Sequence, residues 1–269
     1  MLQNSMRNGG SILIQPLLNK SDLSILNKRT LKYHLADAEK DYFLAMVLKL
    51  LYSTDIKKKL VFKGGTAIHH CYLPQGRFSE DIDFTSLDSM INLDEVKSAI
   101  TADFLEVKEA YQSKSTIKIN RLKYTGPLGL PNSLKVEIDF RQNVVLPAKK
   151  LPYRNAWKIK TSVLAMDERE ICAEKIRAAS ERSRYRDFYD LYLLLEKFSF
   201  DMQEILSLIK QKEIRKSISK TSMKKNLKDA LIEKQKEFAR VYYAQEIPED
   251  SLLKMIEKIP LKGVINPRS

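Results

Sequence analysis

Two aspartates, Asp81 and Asp83, stand two residues apart in the phrase RFSEDIDF. On an extended strand such a pair leaves one face, while Ile82 and Phe84 turn to the other. Like charges on one face repel unless a cation lies between them, and paired carboxylates offer the hard oxygen ligands that Mg²⁺ takes. Upstream, the apolar run Leu60, Val61, Phe62 ends at Lys63, Gly64 and Gly65, and fifteen residues (66–80) then lead to Asp81. Glycines lack the Cβ that would keep backbone N–H groups away from a bound anion. Residues 66–72, opening at Thr66, read as a short helix whose N-terminal dipole points at the same anion. A phosphate-binding turn beside two parallel carboxylates makes a site for a divalent metal holding a nucleoside triphosphate. Neither half of the pattern carries that reading alone; the order and the combination do.

The elements that must position these groups follow from periodicity. Residues 21–35 are weakly helical, with Ser21 as N-cap, and residues 1–19 read as an irregular arm. Residues 37–53 form an amphipathic helix with Phe43, Met46, Val47, Leu50 and Leu51 on its apolar side. After the Asp81–Asp83 strand, residues 93–105 read as a helix that starts near Asn92 or Asp94. Residues 114–122 alternate as a strand, and a turn at 126–131 leads to LKVEIDF (134–140), a strand with Glu137 and Asp139 on one face. Residues 142–162 read as a loop anchored by Trp157. Strand patterns are expected to stop there, which divides the chain into an α/β (α+β) core with N-terminal helices, 1–155, and a mainly helical domain, 156–269, that closes the cleft.

In the helical half, the acidic run 167–170 suits a helix N-terminus, and the helix continues to about Ser180. Lys175 and Arg177 lie on it, Arg182, Arg184 and Arg186 alternate through a loop, and Asp187 is the expected N-cap of the next helix. Ile205, Leu206, Leu208 and Ile209 give a later apolar face. Lys224, Lys225 and Lys228 belong to a dense positive stretch, and Phe238 to Tyr243 read as the end of another helix. A last helix spans 251–259, and the tail 260–269 reads as exposed.

FKGGTAI followed by RFSEDIDF resembles the polymerase-β-like nucleotidyltransferase superfamily. In its fuller form it resembles the AbiEii/MenT toxins of bacterial type IV toxin–antitoxin systems. That resemblance implies a nucleotidyltransferase core with a mixed sheet, Mg²⁺ as cofactor and an NTP as co-substrate. It implies catalytic and metal-binding roles for Asp81, Asp83 and a third carboxylate in VEID, Glu137 being favoured over Asp139. The nucleotide would meet Lys63, Gly64, Gly65, Thr66 and Ser79. Lys175 would hold the triphosphate, and Asp187 or Asp190 would position Lys175 or act on the incoming hydroxyl. The implied acceptor is RNA, in related toxins the tRNA 3′ end, with arrest of translation and phage abortive infection as the setting. The implied partner is a cognate antitoxin of winged-helix, AbiEi-like type. Ser79, directly before the acidic phrase, is a candidate for inhibitory modification by position alone.

The chain has 269 residues, with 47 Lys+Arg against 34 Asp+Glu, for a net charge of +13. So basic a surface suits a polyanionic partner. Two cysteines, Cys71 and Cys172, without CxxC spacing imply neither a disulfide framework nor a zinc site, which fits a reducing cytoplasm. No signal peptide or membrane-length apolar run is read. Two other readings stand beside the first. The acceptor could be a protein or a small molecule, although small-molecule modifiers more often carry an acidic cleft for a cationic substrate. A catalytically silent nucleic-acid or protein-binding module is the other, and intact Asp81 and Asp83 argue against it.

Overall fold

The computed structural model describes residues 16–87, 91–212, 214, 216–238 and 241–266. Most of the expected N-terminal arm, the last three residues of the tail and the Phe238 side chain lie outside the described residues. The fold is mixed α/β, built on one sheet: β1 (Leu60–Lys63), β2 (Asp81–Ser86), β3 (Leu105–Gln112), β4 (Thr116–Tyr124), β5 (Asn132–Asp139), β6 (Lys149–Pro152) and β7 (Ser162–Ala165). Its order is β3-β4-β5-β2-β1-β7-β6. The β2–β5 and β1–β7 pairs are parallel and the others antiparallel. The sheet is therefore mixed, as the resemblance implies.

Three strands go beyond the expected set. The helix expected over 93–105 ends at Ala99 (α4, Leu93–Ala99), capped by the Asn92 side chain accepting from the Glu95 N–H. Leu105 instead begins β3, an edge strand with half-exposed alternation that period alone separates poorly from a helix end. Strand pairing also continues past residue 155, because β7 lies against β1, and the edge strand β6 borders it inside the expected loop. One continuous apolar cluster runs from Leu23 to Ile259 through both parts of the chain.

The first helix, α1 (Lys20–Arg29), is capped by Asn19 rather than Ser21 and stops well short of Leu35. Lys32 takes a positive φ of 57°, and the buried Asn27 side chain bonds both backbone groups of Tyr33, which fixes the turn. The second, α2 (Leu35–Ser53), is buried nearly all round, including Glu39 and Asp41, so it is a core helix rather than a surface amphipathic one. Phe43 stacks on Tyr124 of β4 at 4.1 Å, and Asp41 accepts from the Trp157 indole at 2.9 Å, which anchors the connection before β7.

Beyond the sheet come α5 (Glu168–Glu181), α6 (Tyr185–Lys197), α7 (Met202–Gln211), α8 (Lys220–Phe238) and α9 (Glu249–Lys258). Asp187 lies inside the first turn of α6, whose N-cap is Arg184, so the expected cap is instead a buried side chain. Tyr242 and Tyr243 do not end a helix: they form an extended strip beside Gly76–Phe78, with Phe78 N–H donating to the Tyr242 carbonyl. The tail is not wholly free either, since Ile265 bridges to Ile218.

Candidate active site

β1 delivers Lys63 to Gly64, and the chain turns at once into a short helical run: α3 (Gly64–Ala67), then a turn of π-helix, Ile68–Tyr72. The run thus begins at Gly64, two residues before the expected Thr66. Gly64 has φ +77°, and a Cβ there would lie 2.6 Å from Asp83 Oδ2. At Gly65 a Cβ would fall 2.1 Å from an Arg77 guanidinium nitrogen and 2.9 Å from Ser79 Oγ. The protein's own side chains thus use the space the two glycines leave: Gly64 admits the Asp83 carboxylate and Gly65 admits Arg77. Thr66 ties the turn to β2, its hydroxyl donating to the Asp81 carbonyl at 2.5 Å and lying 3.0 Å from Ser79 Oγ.

Asp81 and Asp83 share the site-facing side of β2, with Ile82 and Phe84 buried on the other side. In register, Asp83 pairs with Lys63 on β1 and with Glu137 on β5, so Glu137 is the carboxylate directly across from it. Asp139 lies one step further along the same face. Its Oδ1 accepts from the N–H groups of Arg141 and Gln142, and its Oδ2 is 3.8 Å from Lys63 Nζ. That environment spends Asp139 on the turn after β5. Glu137 is held by Lys118 at 3.0 Å and stays partly exposed. Burial, with the Asp81 charge next, pushes the Asp83 carboxyl up to about 6, and Glu137 adds to the rise. Burial and Glu80 raise Asp81 as well.

Lys175 projects from α5 with its Nζ 3.0 Å from Asp187 and 2.7 Å from Asp190. Asp187 also takes Arg182, at 2.7 and 3.1 Å. Asp190 takes Arg77 through two bonds of 2.7 Å and His69 at 2.9 Å. Burial alone would raise both carboxyls, but Arg77 and Lys175 at Asp190, and Lys175 and Arg182 at Asp187, hold them well below the usual carboxylate range. They are fixed counter-charges and cannot take a proton near neutral pH. Of the two roles that the resemblance leaves open for them, the geometry supports positioning Lys175.

Several partners in this network escape sequence reading. Arg77 is buried beneath Gly65, in a stretch with no secondary-structure period. On α5, Glu170 and Glu174 both meet the buried Lys212, and Glu174 is 3.8 Å from Lys63. Burial would raise Glu174, yet Lys63 and Lys212 bring its carboxyl down to about 2. The signal that could have found these glutamates is their i, i+4 spacing on a helix face that also carries the buried Ile171.

The cleft at Gly64 measures about 280 Å³ and is lined by Lys63, Asp83, Lys175, Arg177 and Arg182 among others. Arg177 lines it as well, with a terminal nitrogen 3.4 Å from Glu181 and a buried Nε that has no hydrogen-bond partner among the described residues. The donor set for a metal is all hard oxygen: Asp81, Asp83 and Glu137. Burial is the main cause of the raised Asp83 carboxyl, and Asp81 adds a repulsion that a cation beside the pair would relieve. Among the described residues, no three acidic, histidine or cysteine side chains converge tightly enough to hold an ion alone. The donors that do share a strand face, Asp81 and Asp83, are of the hard-oxygen type that Mg²⁺ takes.

The family described as "Nucleotidyl transferase AbiEii toxin, Type IV TA system" matches residues 49–259 of this chain. The chain belongs to the AbiEii nucleotidyltransferase toxin family. AbiEii proteins are nucleotidyltransferase toxins of type IV toxin–antitoxin systems, so this chain is a nucleotidyltransferase whose system includes an antitoxin. Among solved structures it is similar to MenT4, a nucleotidyltransferase toxin from Mycobacterium tuberculosis H37Rv. The two share 26% identity and a TM-score of 0.57, over 70% of this chain and 68% of that one. It also resembles JHP933 from Helicobacter pylori (20% identity, TM-score 0.54, 84% and 92% of the two chains). A nucleotidyltransferase from the same species described as putative is comparable (20%, 0.53, 84% and 95%). At that identity these two likenesses speak to the fold alone. No curated protein sequence matches the chain. Among the described residues, no helix of this AbiEii chain is long and apolar enough to cross a membrane.

Proposed function

We propose that this chain transfers a nucleoside monophosphate from an NTP to the 3′-hydroxyl of an RNA, with tRNA as the acceptor, and so blocks translation. The observation that carries the reading is the row Lys63, Asp83, Glu137 across three neighbouring strands, set against the Gly64 turn. A Mg²⁺ held by Asp81, Asp83 and Glu137 would supply the positive charge that stabilises the transferring phosphate and the departing pyrophosphate. The chain's own residues do the rest. Lys63, Arg177 and Arg182 line the cleft as cations for the triphosphate. Lys175, with one side held by Asp187 and Asp190, presents a fixed charge rather than a mobile one.

As the acceptor oxygen bonds to the α-phosphorus, the bond to the pyrophosphate oxygen breaks, and the hydroxyl proton passes to a carboxylate of the site. Glu137, beside Asp83 and partly exposed, is the group we assign to that proton or to the metal. The helical part from Glu168 onward supplies Lys175, Arg177 and Arg182, which is the role of a unit that closes the cleft. We keep Ser79 as a site where an added phosphate would repel the triphosphate, since its hydroxyl adjoins Thr66 at the turn. A winged-helix antitoxin and a cytoplasmic location complete the reading.

The test is incubation with each labelled NTP, Mg²⁺ and total RNA, beside Asp81→Ala and Asp83→Ala variants. Label at RNA 3′ ends, abolished by either substitution and by prior oxidation of the 3′-terminal ribose, supports the proposal. Label in protein or in a small molecule moves the acceptor to the second reading. No label anywhere leaves the silent module standing.

A further inference from the structure

The row of site residues does not end at Glu137. Glu137 pairs with Lys118 on β4, and Lys118 pairs with Tyr111 on the edge strand β3. Partners in register share a face, so one line of side chains crosses the sheet: Lys63, Asp83, Glu137, Lys118, Tyr111. Two pairings along, on the same face, Asp81 lies across from the exposed Lys135. At the far end of the row Tyr111 is 44% exposed.

Two clefts meet at Asp83. One is the cleft of about 280 Å³ with Lys63, Lys175, Arg177 and Arg182. The other, about 230 Å³, is lined by Asp81, Asp83, Lys118, Asn120, Lys135 and Glu137, and it opens toward β4. In phosphoryl transfer the attacking and leaving oxygens lie roughly in line across the phosphorus. A triphosphate in the first cleft therefore requires the attacking hydroxyl to arrive from the second.

We infer that the face of β5, β4 and β3 beyond Glu137 is the acceptor platform. It seats the 3′-terminal stretch of a single-stranded polynucleotide, with backbone phosphates at Lys135 and Lys118 and a base stacked on Tyr111. The reading rests on the nucleotidyltransferase assignment above and adds the acceptor's path. Its chemistry is that of single-strand binding elsewhere: cations along a groove for the backbone, and an exposed aromatic ring that accepts any base. Three inter-strand steps, about 14 Å, separate Asp83 from Tyr111, a span that a short run of nucleotides can cross. Lys118 is 3.0 Å from Glu137 and stands between the carboxylates and the ring, so it can meet a phosphate while keeping Glu137 in place. A folded protein or a small molecule would gain little from two lysines set beside the carboxylates with an exposed ring one strand beyond Lys118.

The test is binding of a fluorescent single-stranded RNA with a free 3′ end, without NTP or Mg²⁺, alongside NTP affinity measured separately. Tyr111→Ala is expected to weaken RNA binding about tenfold or more while Tyr111→Phe retains it, because stacking needs the ring and not the hydroxyl. Lys135→Ala is expected to lower the slope of log affinity against log salt by about one. NTP affinity should stay at the wild-type value in all three. The inference is overturned if the wild-type protein binds no RNA, if Tyr111→Ala binds as well as wild type, or if Tyr111→Phe loses as much as Tyr111→Ala. RNA binding that depends on Tyr111, with no label transferred in the earlier assay, would keep the platform and sink the enzymatic reading instead.

Discussion

Asp83 shows what burying a carboxylate beside a second one costs the fold. Its carboxyl is raised from 3.8 to about 6 by burial and by Asp81, so holding it ionised at neutral pH works against folding. A carboxyl raised on folding binds its proton more tightly in the folded state, so stability from this group grows as pH falls through about 6 toward 4. In thermal melts without metal, Asp83→Asn is expected to be more stable than wild type at pH 7.5 by about 1 to 2 kcal/mol. The full shift would give about 3, reduced here because the side chain still meets solvent. The gap should close by pH 4.5, and transfer activity should vanish at every pH. In the wild type, transfer should fall as pH drops through about 6, and saturating Mg²⁺ should move that midpoint lower. Gly64→Ala should lose activity at least tenfold and cost about 1 to 2 kcal/mol in denaturant melts, because it forces a Cβ into the left-handed region and against Asp83. The aspartate pair was legible in the sequence because strand alternation fixes its face. The use of each glycine was not, because it depends on Asp83 and Arg77, residues that only the folded chain brings to the turn.

At the scale of elements, β2 and β5 could be read because each alternates buried and open positions. β7 could not, since four residues are too short a run to carry a period that distinguishes them from the start of a helix. The phrase RSRYRDFYDLY also misled, because Asp187 has the type of a cap while its charge is claimed by Lys175 and Arg182. The joint between α5 and α6 is electrostatic: Asp190, fully buried, gathers His69, Arg77 and Lys175. Removing one partner of such a group leaves the others charged and dry. Asp190→Ala should therefore destabilise the protein by about 3 to 5 kcal/mol by chemical denaturation, far more than an exposed pair such as Lys58 with Asp55 would.

Across the whole molecule, the charge of +13 was plain in the composition, but its placement was not. Cations on the sheet face flank the carboxylates, and others are sunk in the join between sheet and helices. Lys212 belongs to the second group: buried, it meets Glu170 and Glu174 and donates to the Asn143 carbonyl at 2.6 Å. Lys212→Met should destabilise the fold by about 3 kcal/mol and weaken NTP binding, since Glu174 would then draw on the cleft cations Lys63 and Arg177. Nucleotide titration calorimetry at a temperature where the variant is folded would separate the two effects. The Asp190 cluster has a consequence for how the toxin is made. Its members are spread from His69 to Asp190, so during synthesis Gly64, Asp81 and Asp83 leave the ribosome long before the acid that secures Arg77 and Lys175 exists. Until that late residue folds back onto the early ones, the nascent chain carries the glycine turn and both aspartates yet has no assembled centre.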